Sequence, residues 1–68
     1  MLNRDALKRH IVEGRTRLGL EPKEMADRLG IQLPVYRQYE NGFRIPGAEM
    51  LAILADQFGT TVDYLISE

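Results

Sequence analysis

The chain has 68 residues, a formal net charge of −1 at pH 7 and no cysteine. This length has room for one hydrophobic core, so we expect one domain over residues 1–68 and not a multidomain enzyme or receptor. The lack of cysteine excludes disulfides and thiolate zinc sites, and it favours a reducing, cytoplasmic location. The longest uncharged apolar stretch, 50–55, is too short to cross a bilayer, so no membrane span is predicted.

The charges are distributed unevenly along the chain. All nine basic residues precede Ile45, and the charged residues after it are all acidic: Glu49, Asp56, Asp63 and Glu68. The small net charge alone argues against nucleic-acid binding. The uneven distribution would nevertheless let the first part of the chain face a polyanion while the last part avoids it. Solvated helix faces would explain the same distribution equally well.

A first helix is predicted from Asn3 to Leu18. Leu7, Ile11 and Leu18 recur at helical spacing, and Asn3 is a suitable N-cap. Gly19 then supplies the left-handed residue that ends many helices.

A second helix is predicted from Pro22 to about Leu29. Proline is favoured at a first helical position, and Leu20 can pack on Met25 across this helix start. Gly30 ends the helix.

A third helix is predicted after a very short connection, from Leu33 and Pro34 to Asn41, with Gly42 as its stop. Residues 43–47 contain proline and glycine, which indicates a loop.

The last two predicted helices carry the most regular apolar pattern. Leu51, Leu54, Ala55 and Phe58 form a stripe along a fourth helix that ends at Gly59. Thr60 or Thr61 then caps a short fifth helix, from Val62 to about Ile66. No useful strand alternation occurs, so the expected fold is all-α, a compact bundle of about five short helices.

The second and third helices, joined through Gly30, have the connection typical of a helix-turn-helix. The ordered set of motifs is residues 25–31, the Tyr-Glu-Asn-Gly run at 39–42, Pro46, residues 51–55, Gly59 and Leu65. This set resembles the Cro and lambda-repressor-like (xenobiotic-response-element type) helix-turn-helix family, over about residues 7 to 66 of the chain. Each part alone is common, but the ordered set is specific.

The resemblance implies a structural ion pair between Arg15 and Glu40, because members of this family usually pair an arginine of the first helix with a glutamate at the end of the third. We therefore expect a partly buried, bidentate contact. Physical reasoning independently favours Ala26 at a helix crossing, where a small side chain allows close approach.

The resemblance also implies that the third helix reads the major groove of double-stranded DNA. The implied base contacts are Leu33, Pro34, Arg37 and Gln38, and the implied phosphate contacts are Asn41 and Arg44. Gln38 has the geometry for a bidentate contact to adenine, and Arg37 can reach guanine or a phosphate.

Two positions depart from the family pattern. The third helix starts with Leu33-Pro34-Val35, where glutamine, serine or threonine is common, and Pro22 replaces a polar residue at the start of the second helix. Leu33 could contact a thymine methyl, or these apolar residues could form a patch for a protein partner.

Family members usually bind as two-fold dimers, so we expect a homodimer. The candidate interface residues are Val62, Tyr64 and Ile66, whereas Phe58 and Leu65 are expected in the core.

An enzyme is not expected, because His10 is the only histidine and no nucleophile lies in an activating setting. We expect His10 to be solvated on a charged helix face, and Tyr36 and Tyr39 to be core residues. No metal, cofactor or small-molecule ligand is predicted, since the acids at 21, 24 and 27 are interleaved with Lys23 and Arg28.

The sequence therefore predicts a small, cytoplasmic, dimeric transcriptional regulator, most simply a repressor that blocks polymerase by occupying DNA. The alternative is the same fold used as a protein-interaction module, such as an antitoxin or anti-repressor, through Leu33, Pro34 and Val35.

Overall fold

The computed structural model describes residues 2–68, which fold into five α-helices with no strand among them. The helices are α1 (Arg4–Arg17), α2 (Pro22–Leu29), α3 (Leu33–Asn41), α4 (Ala48–Phe58) and α5 (Val62–Ile66). The all-α fold expected from the sequence is confirmed, and the helix boundaries agree closely with the predicted ones. No helix in the described range is long and apolar enough to cross a membrane.

The helix ends are formed by local sequence signals. The Asn3 side chain accepts a hydrogen bond from the Ala6 amide at 2.9 Å, as expected for an N-cap of α1. At α2, Glu21 and Glu24 form a capping box in which the Glu21 amide donates to the Glu24 carboxylate at 2.7 Å. Because these bonds involve near neighbours in the chain, the helix starts were predictable from sequence.

One hydrophobic core joins all five helices. Helix α1 packs against α3, α4 and α5, while α2 packs on α3 and α4 on α5. Ala26 is fully buried, which fits a close approach between helices, and Tyr36 and Tyr39 are core residues as predicted. The buried apolar side chains are Ala6, Leu7, Ile11, Met25, Ala26, Leu29, Tyr36, Tyr39, Leu54, Ala55 and Leu65.

Two expectations for α1 were wrong. Leu18 is 40% exposed, because it caps α1 beyond the last helical residue and points away from the core. His10 is only 7% exposed, whereas the sequence predicted a solvated side chain. Its Nδ1–H donates to the Leu65 carbonyl at 3.1 Å, and its ring stacks on Tyr64 with centroids 4.2 Å apart. Helix α5 folds back over this side of α1. No pattern in the residues near His10 in the sequence indicates this contact.

Candidate nucleic-acid interface

The connection between α2 and α3 has the geometry of a helix-turn-helix. Gly30 takes a positive φ of 72°, which L-residues with a side chain rarely adopt, and it ends α2. The Ile31 amide donates to the Ala26 carbonyl at 3.1 Å, closing the turn that terminates α2. Helix α3 begins directly after Gln32, with Pro34 in its first turn. The two helices are thus connected by the short turn that the sequence predicted.

Arg15 and Glu40 lie in contact and tie α1 to the end of α3. The Arg15 Nε donates to Glu40 Oε2 at 2.5 Å, and the Arg15 Nη2 lies 3.5 Å from Glu40 Oε1. The Arg15 Nη1 also donates to the Leu20 carbonyl at 2.9 Å, just before α2. With 15% and 16% of their side chains exposed, both partners are largely sheltered from water. The arrangement is the two-point contact expected from the family resemblance.

Tyr36 completes this cluster from the core side, because its hydroxyl donates to the same Glu40 carboxylate. Burial raises the pKa of Tyr36 well above its usual value, and the hydrogen bond to Glu40 raises it further. The hydrogen bond from Arg15 to Glu40 raises the pKa of Arg15, against the opposing effect of burial. Glu40 is therefore a carboxylate whose negative charge is matched within the protein.

The six residues predicted to contact DNA lie on the outward side of α3 and in the loop that follows. Positions 33, 34, 37, 38 and 41 share one helical face, opposite Tyr36 and Tyr39. Pro34, Arg37, Asn41 and Arg44 are exposed, whereas Leu33 and Gln38 are partly buried. Val35, a candidate for an apolar docking patch, packs instead against the hydrophobic core.

Side-chain hydrogen bonds hold the loop after α3 in place. The Phe43 amide donates to Asn41 Oδ1 at 2.8 Å, and the Arg44 Nε donates to Gln38 Oε1 at 3.0 Å. The Arg44 amide also donates to the Gln38 carbonyl at 3.1 Å. Since backbone amides and arginine can only donate, both side-chain amide oxygens are engaged inside the protein. Within residues 2–68, each of these oxygens accepts a hydrogen bond, while the side-chain amide N–H groups of Asn41 and Gln38 form none.

The charge of this face favours an anion. Between residues 31 and 48 the only acid is Glu40, which Arg15 neutralises, while Arg37 and Arg44 are exposed. The acidic C-terminal part lies elsewhere, because α5 packs on α1 and α4 and Glu68 pairs with Arg9 of α1 at 2.7 Å. Glu68 of the acidic C-terminal part therefore lies against a basic residue of α1 and not on the face of α3.

Sequence reasoning missed one prominent surface residue. Phe43 is 82% exposed, between the predicted phosphate contacts Asn41 and Arg44. An aromatic residue outside the helical periodicity, in a loop bounded by glycine and proline, was the only available signal.

The predicted dimer residues differ in exposure. Val62 and Ile66 are partly buried and pack against the core, whereas Tyr64 is 46% exposed beside His10. Leu65 is in the core as expected, and Phe58 packs against the core while staying partly exposed.

Comparison with known proteins defines the class to which this fold and surface belong. A family model described as Helix-turn-helix matches residues 11–65. The chain therefore belongs to the helix-turn-helix family, in agreement with the resemblance of its motifs to Cro and lambda-repressor-like proteins.

Three relatives illustrate the membership. The chain is 54% identical over 41 residues to the HTH-type transcriptional regulator AnsR of Bacillus subtilis, covering 60% of this chain and 35% of that protein. It is 43% identical over 53 residues to a propionyl-CoA carboxylase regulator of Cereibacter sphaeroides, covering 78% of this chain and 12% of that protein. It is 32% identical over 59 residues to the cryptic phage CTXphi transcriptional repressor RstR of Vibrio cholerae, covering 87% of this chain and 53% of that protein. The chain thus spans about half or less of the length of each of these relatives, all of which are named as regulators.

Proposed function

We propose that this chain is a sequence-specific, double-stranded DNA-binding transcriptional regulator, most simply a repressor, that places α3 in the major groove. The observation that carries the proposal is the outward face of α3 and its following loop, which offers N–H donors and no unneutralised acid. DNA phosphates are acceptors, and so are most of the polar atoms at base edges in the major groove. The names of the relatives support regulation as the biological role.

Each residue of this face has a proposed role. Leu33, Pro34, Arg37 and Gln38 would meet base edges, because they lie on the outward face of α3 from its start onward. Asn41 and Arg44 would contact phosphates at the end of α3, where the side-chain N–H groups point outward. Arg15 and Glu40 would act indirectly, by holding α3 at a fixed orientation on α1.

Binding would use a homodimer, with two half-sites about one helical turn apart. The partly exposed side chains of Val62, Tyr64 and Ile66 remain the proposed interface. Sedimentation at micromolar concentration, with and without DNA, tests this part of the proposal. A monomer under both conditions would exclude the dimer. A cytoplasmic location and a single domain over 1–68 stay predictions of the sequence.

Selection of bound duplexes from a random pool, followed by affinity measurements against salt, tests the main proposal. The logarithm of the affinity should fall linearly with the logarithm of salt concentration, since phosphate binding releases counterions. Arg37→Ala and Arg44→Ala should each reduce the slope by about one. Arg9→Ala is the matched control, because Arg9 pairs with Glu68 after α5 and not with the α3 face; it should leave the slope unchanged.

The alternative of a protein-interaction module rests on the apolar start of α3. Pro34 is exposed and Leu33 partly so, whereas Val35 packs on the core, so the start of α3 offers two apolar side chains and not three. Failure to bind any duplex at low salt, together with tight binding of a protein that Leu33→Ser abolishes, would favour this alternative.

A further inference from the structure

We propose that Gln38 and Arg44 read DNA as one unit, in which Arg44 positions the Gln38 amide so that the pair selects guanine. The inference rests on the proposed DNA-binding function and goes beyond it by naming the base and the positioning residue. A glutamine acting alone would instead be expected to choose adenine.

The geometry joins the two residues at two points. The Arg44 Nε donates to Gln38 Oε1 at 3.0 Å, and the Arg44 backbone amide donates to the Gln38 carbonyl at 3.1 Å. Between them, Gly42 reverses the chain at a φ of 82°, and the Asn41 side chain holds the Phe43 amide. The fold of the loop therefore places Arg44 next to Gln38, and an exposed side-chain hydrogen bond joins its guanidinium to the Gln38 amide.

The chemistry of arginine determines which end of the Gln38 amide faces outward. Arginine has only donors, so the amide atom that it contacts must be the oxygen. The amide nitrogen and its two hydrogens remain available, next to the Nη donors of Arg44. Within residues 2–68 these Nη groups form no ion pair or hydrogen bond.

A surface made of adjacent donors matches guanine better than adenine. In the major groove guanine presents two acceptors, N7 and O6, whereas adenine presents the N7 acceptor and an N6 donor. A bidentate contact to adenine needs the Gln38 oxygen to face N6, so this oxygen would have to accept a second hydrogen bond while it keeps the one from Arg44 Nε. The two N–H groups of the Gln38 amide can instead donate to N7 and O6, while the Nη groups of Arg44 stay available for the phosphate contact proposed above.

Arg37 provides an internal contrast on the same helix. Its guanidinium is exposed and has no side-chain partner among residues 2–68. Arg37 can thus adapt to a phosphate or a base, whereas Arg44 is held before DNA arrives. A group oriented before binding loses less conformational entropy, so it contributes more to affinity, and the direction of its donors then determines which base is favoured.

The test compares charge with geometry at position 44. The relevant base pair is the one whose preference disappears in Gln38→Ala, and the wild type should favour guanine over adenine there by about tenfold. Arg44→Lys keeps the charge but lacks the planar Nε–H, so it should keep the salt slope while the preference falls below about threefold. The Gln38→Ala/Arg44→Lys double variant should show no further loss of preference, because the two residues act together. Arg37→Lys, the matched control, should leave the guanine preference at this position intact.

The outcomes separate this inference from the function on which it rests. If the wild type binds no duplex, the proposed function and the inference both fail. If it binds but adenine is preferred, or if Arg44→Lys retains the preference, only the inference is overturned. In the free protein, the Arg44 Nε–H should exchange with solvent more slowly than in Gln38→Ala, as measured by NMR. Equal exchange rates would show that the pair does not form, and would overturn the inference without touching DNA binding.

Discussion

Helix α1 holds two different regions of the molecule, and it holds them by different means. The region that would face DNA, α2 and α3, is joined to α1 by the charged pair of Arg15 and Glu40. The C-terminal region, α4 and α5, is joined by the buried hydrogen bond from His10 to Leu65, by Phe58 packed on Gly14, and at its end by the exposed pair of Glu68 with Arg9.

The difference shows what each contact can determine. A two-point contact between a guanidinium and a carboxylate has a strict geometry, so it orients α3 as well as attaching it. Ring stacking and apolar packing tolerate more variation, and they attach α5 and α4 through shape. The face expected to need an exact orientation is thus the one held by a largely buried charged contact, whereas the charged pair at the C-terminal end is exposed.

The largest effect is expected from Glu40→Ala, which leaves the Arg15 guanidinium and the Tyr36 hydroxyl without their acceptor. We expect a loss of about 3 kcal/mol, at the low end for a buried pair because both side chains remain about 15% exposed. Thermal melts measure the change, with Glu13→Ala as the control at an exposed position of α1. A fall in Tm of only a few degrees would show that the Arg15–Glu40 contact contributes no more stability than the contact between His10 and Leu65.

His10→Ala tests the contact between α1 and α5 and should destabilise the fold by about 2 kcal/mol, through the lost hydrogen bond to Leu65 and the lost stacking on Tyr64. His10→Phe should recover part of this loss, because it restores a stacking ring without the hydrogen bond. Urea unfolding of both variants measures the two contributions. If His10→Ala unfolds like the wild type, α5 is held by apolar packing alone.

Gly14→Ala tests the close packing of α1 on α4. An added Cβ would lie 2.6 Å from the Phe58 ring, so the ring must move. Overpacking costs about 1–3 kcal/mol and alanine returns up to about 1 kcal/mol of helix propensity, so a net loss of about 1–2 kcal/mol is expected. The substitution should cost less in a Phe58→Leu background, and Gly47→Ala, where a Cβ meets open space, serves as a control. An increase in stability for Gly14→Ala would mean that the contact is loose.

The smallest expected effect is on the pH dependence of stability, and it tests the contact between Tyr36 and Glu40. The pKa of Tyr36 is raised in the folded state by burial and by its bond to Glu40, so the unfolded chain loses this proton first as pH rises. Stability from Tyr36 is therefore complete below about pH 10 and declines above it, by at most about 1.4 kcal/mol per pH unit. Tyr36→Phe should be less stable at pH 8 but should lose less stability between pH 9 and 11. Parallel declines in urea titrations of the two proteins would contradict this assignment.

Local signals explain how much of the fold could be predicted. Asn3, Pro22, Gly30 and Gly42 act on their immediate neighbours, so the helix ends follow from the sequence. The spacing of apolar residues likewise identified Tyr36 and Tyr39 as core. The contact between Arg15 and Glu40 was accessible only through the family resemblance, because residues 25 positions apart carry no local sign of pairing.

The candidate site was predicted at the level of residues but not of atoms. The sequence identified Gln38, Asn41 and Arg44 as polar groups on one side of α3. It could not show that two amide oxygens are used inside the loop, since that depends on where Gly42 turns the chain. It also missed the exposure of Phe43.

The sequence by itself determined the five helices, their ends and the surplus of basic residues before Ile45, because these depend on side chains close together in the chain. Tertiary structure alone decided that His10 is buried under α5, that Glu68 lies against α1, and that the Gln38 side-chain oxygen accepts from Arg44. The burial of His10 and the position of Glu68 depend on contacts between segments that are distant in the chain. The Gln38 contact depends on the loop that Gly42 reverses, and Arg44 determines which atom of the Gln38 amide takes part, because arginine can only donate.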